Sequence, residues 1–231
     1  MYKLNATFTS VPSVFLMSTE VPYHMIESLN GYLDKLYGDK ERKSKAKDLV
    51  GQIKRGQQLK IDHEDDAIKE FSKLCYNLSL GYVDSFSRTL NLGTKFKKLT
   101  PQMDELWSVH SFEGDYNPIH AHGTKTTVGI SFTTWTRIPK QMRETKAGAN
   151  LFNSSGGCDG FITFYCGPSG SDRDTAVLRP PGTMTIKPEV GKIYFFPSWL
   201  QHSVYPFFGE GERRSVAGNL SMWQTPEIKN E

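Results

Sequence analysis

The chain has 231 residues, of which 37% are apolar and 12% aromatic, enough to bury a hydrophobic core of its own and too apolar for a disordered segment. A net charge of +3, from 28 basic and 25 acidic residues, is too mild to argue for a nucleic-acid or membrane binder. No apolar run approaches the roughly 18–20 residues of a membrane span, and Met1-Tyr-Lys-Leu-Asn lacks the basic and then apolar regions of a secretory signal.

In chain order, Val11 to Leu16 reads as a short edge strand. Val21 to Tyr37 sets Met25, Ile26, Leu29, Leu33 and Leu36 at three- and four-residue spacing, the stripe of an amphipathic helix. Asp39 to Lys60 is basic and polar, with Arg42, Lys43, Lys45, Lys47, Lys54 and Arg55, and reads as a solvated connection. A second helix is expected over Asp65 to Leu90, through Ile68, Phe71, Leu74, Cys75, Leu78 and Tyr82, with Gly81 a weak point.

After Thr100-Pro101 the pattern changes to short β-branched and aromatic runs punctuated by glycine and proline. Strands are expected at Leu106–Phe112, Thr126–Arg137, Gly160–Tyr165, Met184–Lys187, Lys192–Phe196, His202–Pro206 and Arg214–Met222. Such a series indicates a sandwich or barrel, with an α-rich region over 1–100 supporting a β core over 101–225 in a single domain. Gly156-Gly157 and Pro168–Asp174 read as turns. The cysteines, Cys75, Cys158 and Cys166, are odd in number and widely spaced, which suggests buried inert thiols in a reducing cytoplasm rather than a disulfide framework.

Of six histidines, His24, His63 and His110 read as structural or exposed. The others form a pattern. His120 and His122 lie two apart in Asn117-Pro-Ile-His-Ala-His-Gly123, and residues i and i+2 of an extended segment share a face. Their imidazoles can take adjacent positions around a metal, and His202, after Phe195-Phe-Pro-Ser-Trp-Leu-Gln201, supplies a third ligand from a distant strand. Arg213 and Ser215 follow, on one face of a strand expected to return beside His202 after a turn at Gly209 to Gly211. A guanidinium there, with a neighbouring hydroxyl, suits a carboxylate, whereas Arg214 points away and reads as a surface charge paired with Glu210 or Glu212. Phe195, Phe196, Trp199, Phe207 and Phe208 read as framework; Trp107 and Trp135 are buried or line a substrate mouth.

A histidine pair, a distal histidine and Arg-x-Ser, in that order over residues 100–225, resemble the 2-oxoglutarate/iron(II)-dependent oxygenases, in particular a microbial and phage, prolyl-hydroxylase-like branch. The resemblance implies a double-stranded β-helix (jelly-roll, cupin-like) core. It also implies Fe(II) held by His120, His122 and His202, and 2-oxoglutarate held at its 5-carboxylate by Arg213 and Ser215. Dioxygen would be the co-substrate, with succinate and carbon dioxide released as a substrate is oxidised. That substrate is peptidyl, such as a proline side chain, or a small molecule or nucleobase. The chain departs from the family at one position, where His122 stands for the usual aspartate or glutamate; Asp115 or Asp159 is the alternative source of a carboxylate. Three neutral imidazoles leave the metal's charge at +2, so two other readings stay open: a metal-binding jelly roll without turnover, and a three-histidine, cupin-like dioxygenase that does not use 2-oxoglutarate. Because ligating histidines must be neutral, metal affinity is expected to fall below about pH 6.

Overall fold

A computed structural model describes residues 14–92, 98–144, 158–167 and 182–224. Strand β1 (Met17–Glu20) leads into helix α1 (Tyr23–Gly38), a single 3₁₀ turn (Ala46–Asp48), β2 (Gln57–Lys60) and helix α2 (Lys69–Thr89). There follow β3 (Leu99–Ser111), β4 (Asn117–His120), β5 (Gly129–Arg137), the short helix α3 (Lys140–Glu144), β6 (Ile162–Tyr165) and β7 (Thr183–Ile186). The last described elements are β8 (Lys192–Pro197), β9 (His202–Val204) and β10 (Arg213–Gln224).

Two sheets result, one of six strands in the order β1-β8-β5-β10-β3-β2 and one of four in the order β4-β9-β6-β7, with antiparallel pairing throughout. The expected helices are present, and their apolar stripes explain their place. Met25, Ile26, Leu29 and Leu33 of α1, with Phe71, Cys75 and Tyr82 of α2, pack on Phe132, Phe195, Val216 and Leu220 of the large sheet. A second cluster lies between the sheets, with Trp135, Ile162, Phe164, Phe196 and Phe207 at its centre.

Because neighbouring side chains on a strand point to opposite faces, β10 serves both layers. Val216, Leu220 and Met222 join the helix-side core, while Arg213, Ser215 and Ala217 line a pocket between the sheets. The Gly209 to Gly211 turn before β10 is made with φ of +93° and +108° at its two glycines, values that side chains on L-residues disfavour.

Several expectations need correction. The first strand is Met17–Glu20; residues 14–16 are not in it, and Val11 lies outside the described residues. The basic connection is not wholly solvated. It contributes β2, and Lys45 is buried between Asp48 and Glu105. Strand β4 was not anticipated, since its proline and its four-residue length mask the pattern. The Arg213 strand does not run beside the His202 strand: β10 lies between β5 and β3 in the large sheet, while β9 pairs with β4 and β6 in the small one. Cys75 is fully buried, but Cys158 and Cys166 are only partly so. Trp199 and Phe208 are 60% and 54% exposed, so the framework reading holds for Phe195, Phe196 and Phe207 alone. Gly156-Gly157 and Pro168–Asp174 lie outside the described residues.

Candidate metal and carboxylate site

His120 closes β4 and His202 opens β9, and these two residues face each other in the antiparallel register of the pair. His122 follows on an extended segment fixed by its own backbone N–H, which donates to the Ser198 carbonyl at 2.9 Å. Beyond it the chain is clamped again. The Lys125 and Thr126 N–H groups donate to Ser221 Oγ at 2.8 and 3.2 Å, and Ser221 Oγ in turn donates to Asp104. The residues between β4 and β5 are thereby tied to β3 and β10 of the large sheet and to Ser198, just after β8.

The result is a cluster in which one ligand atom from each of His120, His122 and His202 lies within 4.8 Å of the others. His120 Nδ1 donates to the Pro118 carbonyl at 2.7 Å and His202 Nδ1 to the Leu200 carbonyl at 3.0 Å, so each presents the lone pair of Nε2. Nε2 of His122 and of His202 are 3.1 Å apart. Two nitrogens about 2.1 Å from one metal and at right angles to each other lie about 3.0 Å apart, so this spacing fits a shared metal ion.

Aromatic groups hold the rings. Trp107 stacks on His122 with centroids 5.4 Å apart, and Phe196 meets His202 edge-on at 5.1 Å. Burial accounts for the protonation behaviour: it lowers the pKa of His120, takes that of His122 down to about 2 with help from the other two imidazoles, and takes His202 to about 4. Neutral imidazole, the ligand form, is favoured.

Arg213 and Ser215 enter the same pocket from the large sheet, alongside Trp107, Asn117, Thr133, Phe196 and Ala217. Arg213 is 3% exposed, donates from Nε to the Gly160 carbonyl at 3.0 Å and sits 5.8 Å over the Trp135 ring. Burial lowers its pKa to about 10, so it is charged at neutral pH. Among the described residues it has no carboxylate partner, a costly state for a buried cation unless an anion joins it.

The structure thus brings together all five residues singled out from the sequence and separates the alternatives. Asp115 is buried, but its carboxylate accepts backbone N–H groups from Lys54, Arg55, Gly56 and Phe112. Asp159 is not in the metal-ligand cluster. Arg214 faces away from the pocket, yet it is not a surface charge: it is buried against Glu212, Asp34 and Asn30 beneath α1. His110 lies in the same network, its Nδ1 2.6 Å from Glu212, whereas His24 is exposed beside Glu70. Of the lining residues, Asn117 was not singled out and Phe196 was read as framework alone, although each stands inside a motif already picked out by its histidine. The Asp104–Ser221 clamp had no signal at all, because its partners are far apart in sequence.

The family model described as "Putative 2OG-Fe(II) oxygenase" matches residues 105–219, a span that includes all five site residues. No curated protein matches the chain. Among solved structures, a Pseudomonas putida prolyl-4-hydroxylase aligns with a TM-score of 0.51 and 14% identity over 90% of this chain and 91% of that one. HygX from Streptomyces hygroscopicus, with nickel and 2-oxoglutarate bound, gives 0.51 and 10% over 90% and 83%. SnoN, a non-heme alpha ketoglutarate dependent epimerase from nogalamycin biosynthesis, gives 0.53 and 12% over 90% and 78%. At such identities the likeness establishes the fold, a double-stranded β-helix.

Proposed function

The chain belongs to the 2OG-Fe(II) oxygenase family, and from that premise we propose that it is an iron(II)- and 2-oxoglutarate-dependent dioxygenase, with His120, His122 and His202 as metal ligands and Arg213 and Ser215 as the anchor for 2-oxoglutarate. The observation that carries this reading is a buried guanidinium, without an acidic partner among the described residues, in the wall of the pocket that holds three converging imidazoles. When bound at these residues, iron(II) and 2-oxoglutarate would supply dioxygen activation, with one oxygen atom leaving in succinate beside carbon dioxide and the other available to hydroxylate a substrate C–H bond.

The protein's own part is positioning and exclusion of water. The Pro118 and Leu200 carbonyls fix the tautomers of His120 and His202, and Trp107 and Phe196 hold the ring planes. Arg213 offers its fork to the remote carboxylate of 2-oxoglutarate, and the Ser215 hydroxyl adds a donor. Apolar neighbours Ile162, Phe196 and Val204 keep bulk water from the reacting end. The primary substrate is a peptidyl side chain or a small molecule.

The reading is supported against a three-histidine dioxygenase without 2-oxoglutarate because that enzyme leaves Arg213 without an anion. The non-catalytic metal module has one observation in its favour, His122 in place of a carboxylate, since zinc accepts three imidazoles readily. Succinate formation separates them. Full-length protein supplied with Fe²⁺, 2-oxoglutarate, ascorbate and air should release succinate, and Zn²⁺ should not replace the iron. Neither turnover nor metal-dependent 2-oxoglutarate binding would leave the metal module as the better description.

A further inference from the structure

The charge balance of this pocket has a consequence for how it fills. Among the described residues its lining holds three imidazoles and one guanidinium, and no aspartate or glutamate. A divalent ion on three neutral ligands keeps its full charge of +2, and Arg213 adds +1 within the same walls. The acids around it are committed elsewhere or, like Asp159, belong neither to the lining nor to the ligand cluster. Asp115 is occupied by four backbone N–H groups, Asp104 by Ser221 and Lys125, and Glu212 lies with Arg214, Arg137 and His110 under α1. The rest of the lining is largely apolar, with Trp107, Val109, Ile162, Phe196 and Val204, so the two positive centres are poorly screened from each other.

We propose that His122, as a neutral ligand in a carboxylate-free pocket, makes metal retention depend on the dicarboxylate: the ion alone is held weakly, and ion and 2-oxoglutarate load as a cooperative pair. This rests on the pocket being the metal and 2-oxoglutarate site. One dianion neutralises most of the charge on both centres, reaching the metal at one end and Arg213 at the other. Linkage makes the effect reciprocal, so the metal raises 2-oxoglutarate affinity by the factor that 2-oxoglutarate raises metal affinity. Chelation gives some coupling in any such site; what is particular here is the additional part that arises from charge. A carboxylate at position 122 removes one positive charge from the loaded pocket and shrinks that part.

The test is a titration of full-length, metal-free protein with Co²⁺, followed by its absorption spectrum, with and without saturating 2-oxoglutarate. In the native protein 2-oxoglutarate should tighten Co²⁺ binding by about 50-fold, and in His122→Asp by no more than about 5-fold, with Co²⁺ alone bound more tightly than in the native chain. Arg213→Met supplies a second arm that does not alter the ligands. Relief of repulsion should let this variant bind Co²⁺ alone several-fold more tightly than the native protein, while the gain from 2-oxoglutarate shrinks. Equal coupling in native and His122→Asp proteins, or Co²⁺ binding no tighter in Arg213→Met, would overturn the inference and leave the proposed function standing. Absence of Co²⁺-dependent 2-oxoglutarate binding in the native protein would instead overturn the proposed function, before any variant is compared.

Discussion

His202 and Arg213 divide the pocket's work between them, and each can be removed separately. His202 meets His122 across 3.1 Å and is fixed through Nδ1 by the Leu200 carbonyl. His202→Ala leaves two ligands and should abolish both metal retention in the presence of 2-oxoglutarate and succinate release, as read by elemental analysis and product assay; unchanged turnover would remove His202 from the site. Arg213→Ala should behave differently. It leaves the three imidazoles in place, so metal binds, while the 2-oxoglutarate carboxylate loses a charged anchor. A hydrogen bond to a charged group contributes about 1.5–3 kcal/mol, and losing a two-pronged contact weakens 2-oxoglutarate on the order of 100-fold. Calorimetry on the metal-loaded variant measures this, and native-like 2-oxoglutarate affinity would show that the anchor lies elsewhere. At this scale the sequence was informative, because Asn-Pro-Ile-His-Ala-His and Arg-Arg-Ser carry their geometry in strand parity. Trp107 was less legible, since nothing local to it says that its ring will lie on His122.

Strand β10 joins the pocket to the helical layer. On one face it presents Arg213 and Ser215; on the other Arg214 is gripped by Glu212 at 2.8 and 2.9 Å and by Asp34 of α1 at 2.7 Å, with Arg137 and His110 also on Glu212. Burial pushes the Glu212 pKa up, but hydrogen bonds from His110 and Arg214 outweigh it and hold the carboxylate down to about 2. Glu212→Gln leaves Arg214 buried with Asp34 as its one acidic partner among the described residues. Breaking a buried pair costs about 3–5 kcal/mol, and urea denaturation should show a loss of that size. A change under 1 kcal/mol would mean that the network does little to hold α1 on the sheet. Helices α1 and α2 could be read from their stripes, the short α3 could not, and seven of the ten described strands could be read from their composition. The pairing of β10 could not be read, because the order of strands within a sheet depends on contacts between distant residues such as Arg213 and Ser111. The sequence places β10 next to β9 by proximity; the turn at Gly209 to Gly211 instead carries the chain across to the other sheet.

For the whole molecule, the buried imidazoles make acid sensitivity a property of the fold. Burial is the first cause for each of the three, and it leaves His202 near 4 and His122 near 2 where the unfolded chain has about 6.5. Between about pH 6.5 and 4 the unfolded state therefore takes up protons that the folded state refuses, and folding stability falls as pH falls. Each such imidazole contributes a slope of about 1.4 kcal/mol per pH unit. Glu212 adds to the loss lower down, from its ordinary value of 4.5 to about 2. The same depression alters the expectation that metal binding fades below about pH 6. Protons compete with a metal only where the folded ligands titrate, and burial moves that window downward. Metal-free protein should lose urea resistance steeply between pH 7.5 and 5, whereas Co²⁺ affinity, measured over the part of that range where the fold persists, should decline far less. A His122→Phe, His202→Phe variant, apolar at both places, should show a flatter stability profile over the same interval. If native and variant proteins lose stability in parallel, the acid sensitivity originates outside the pocket, and the imidazoles are better solvated than their burial implies.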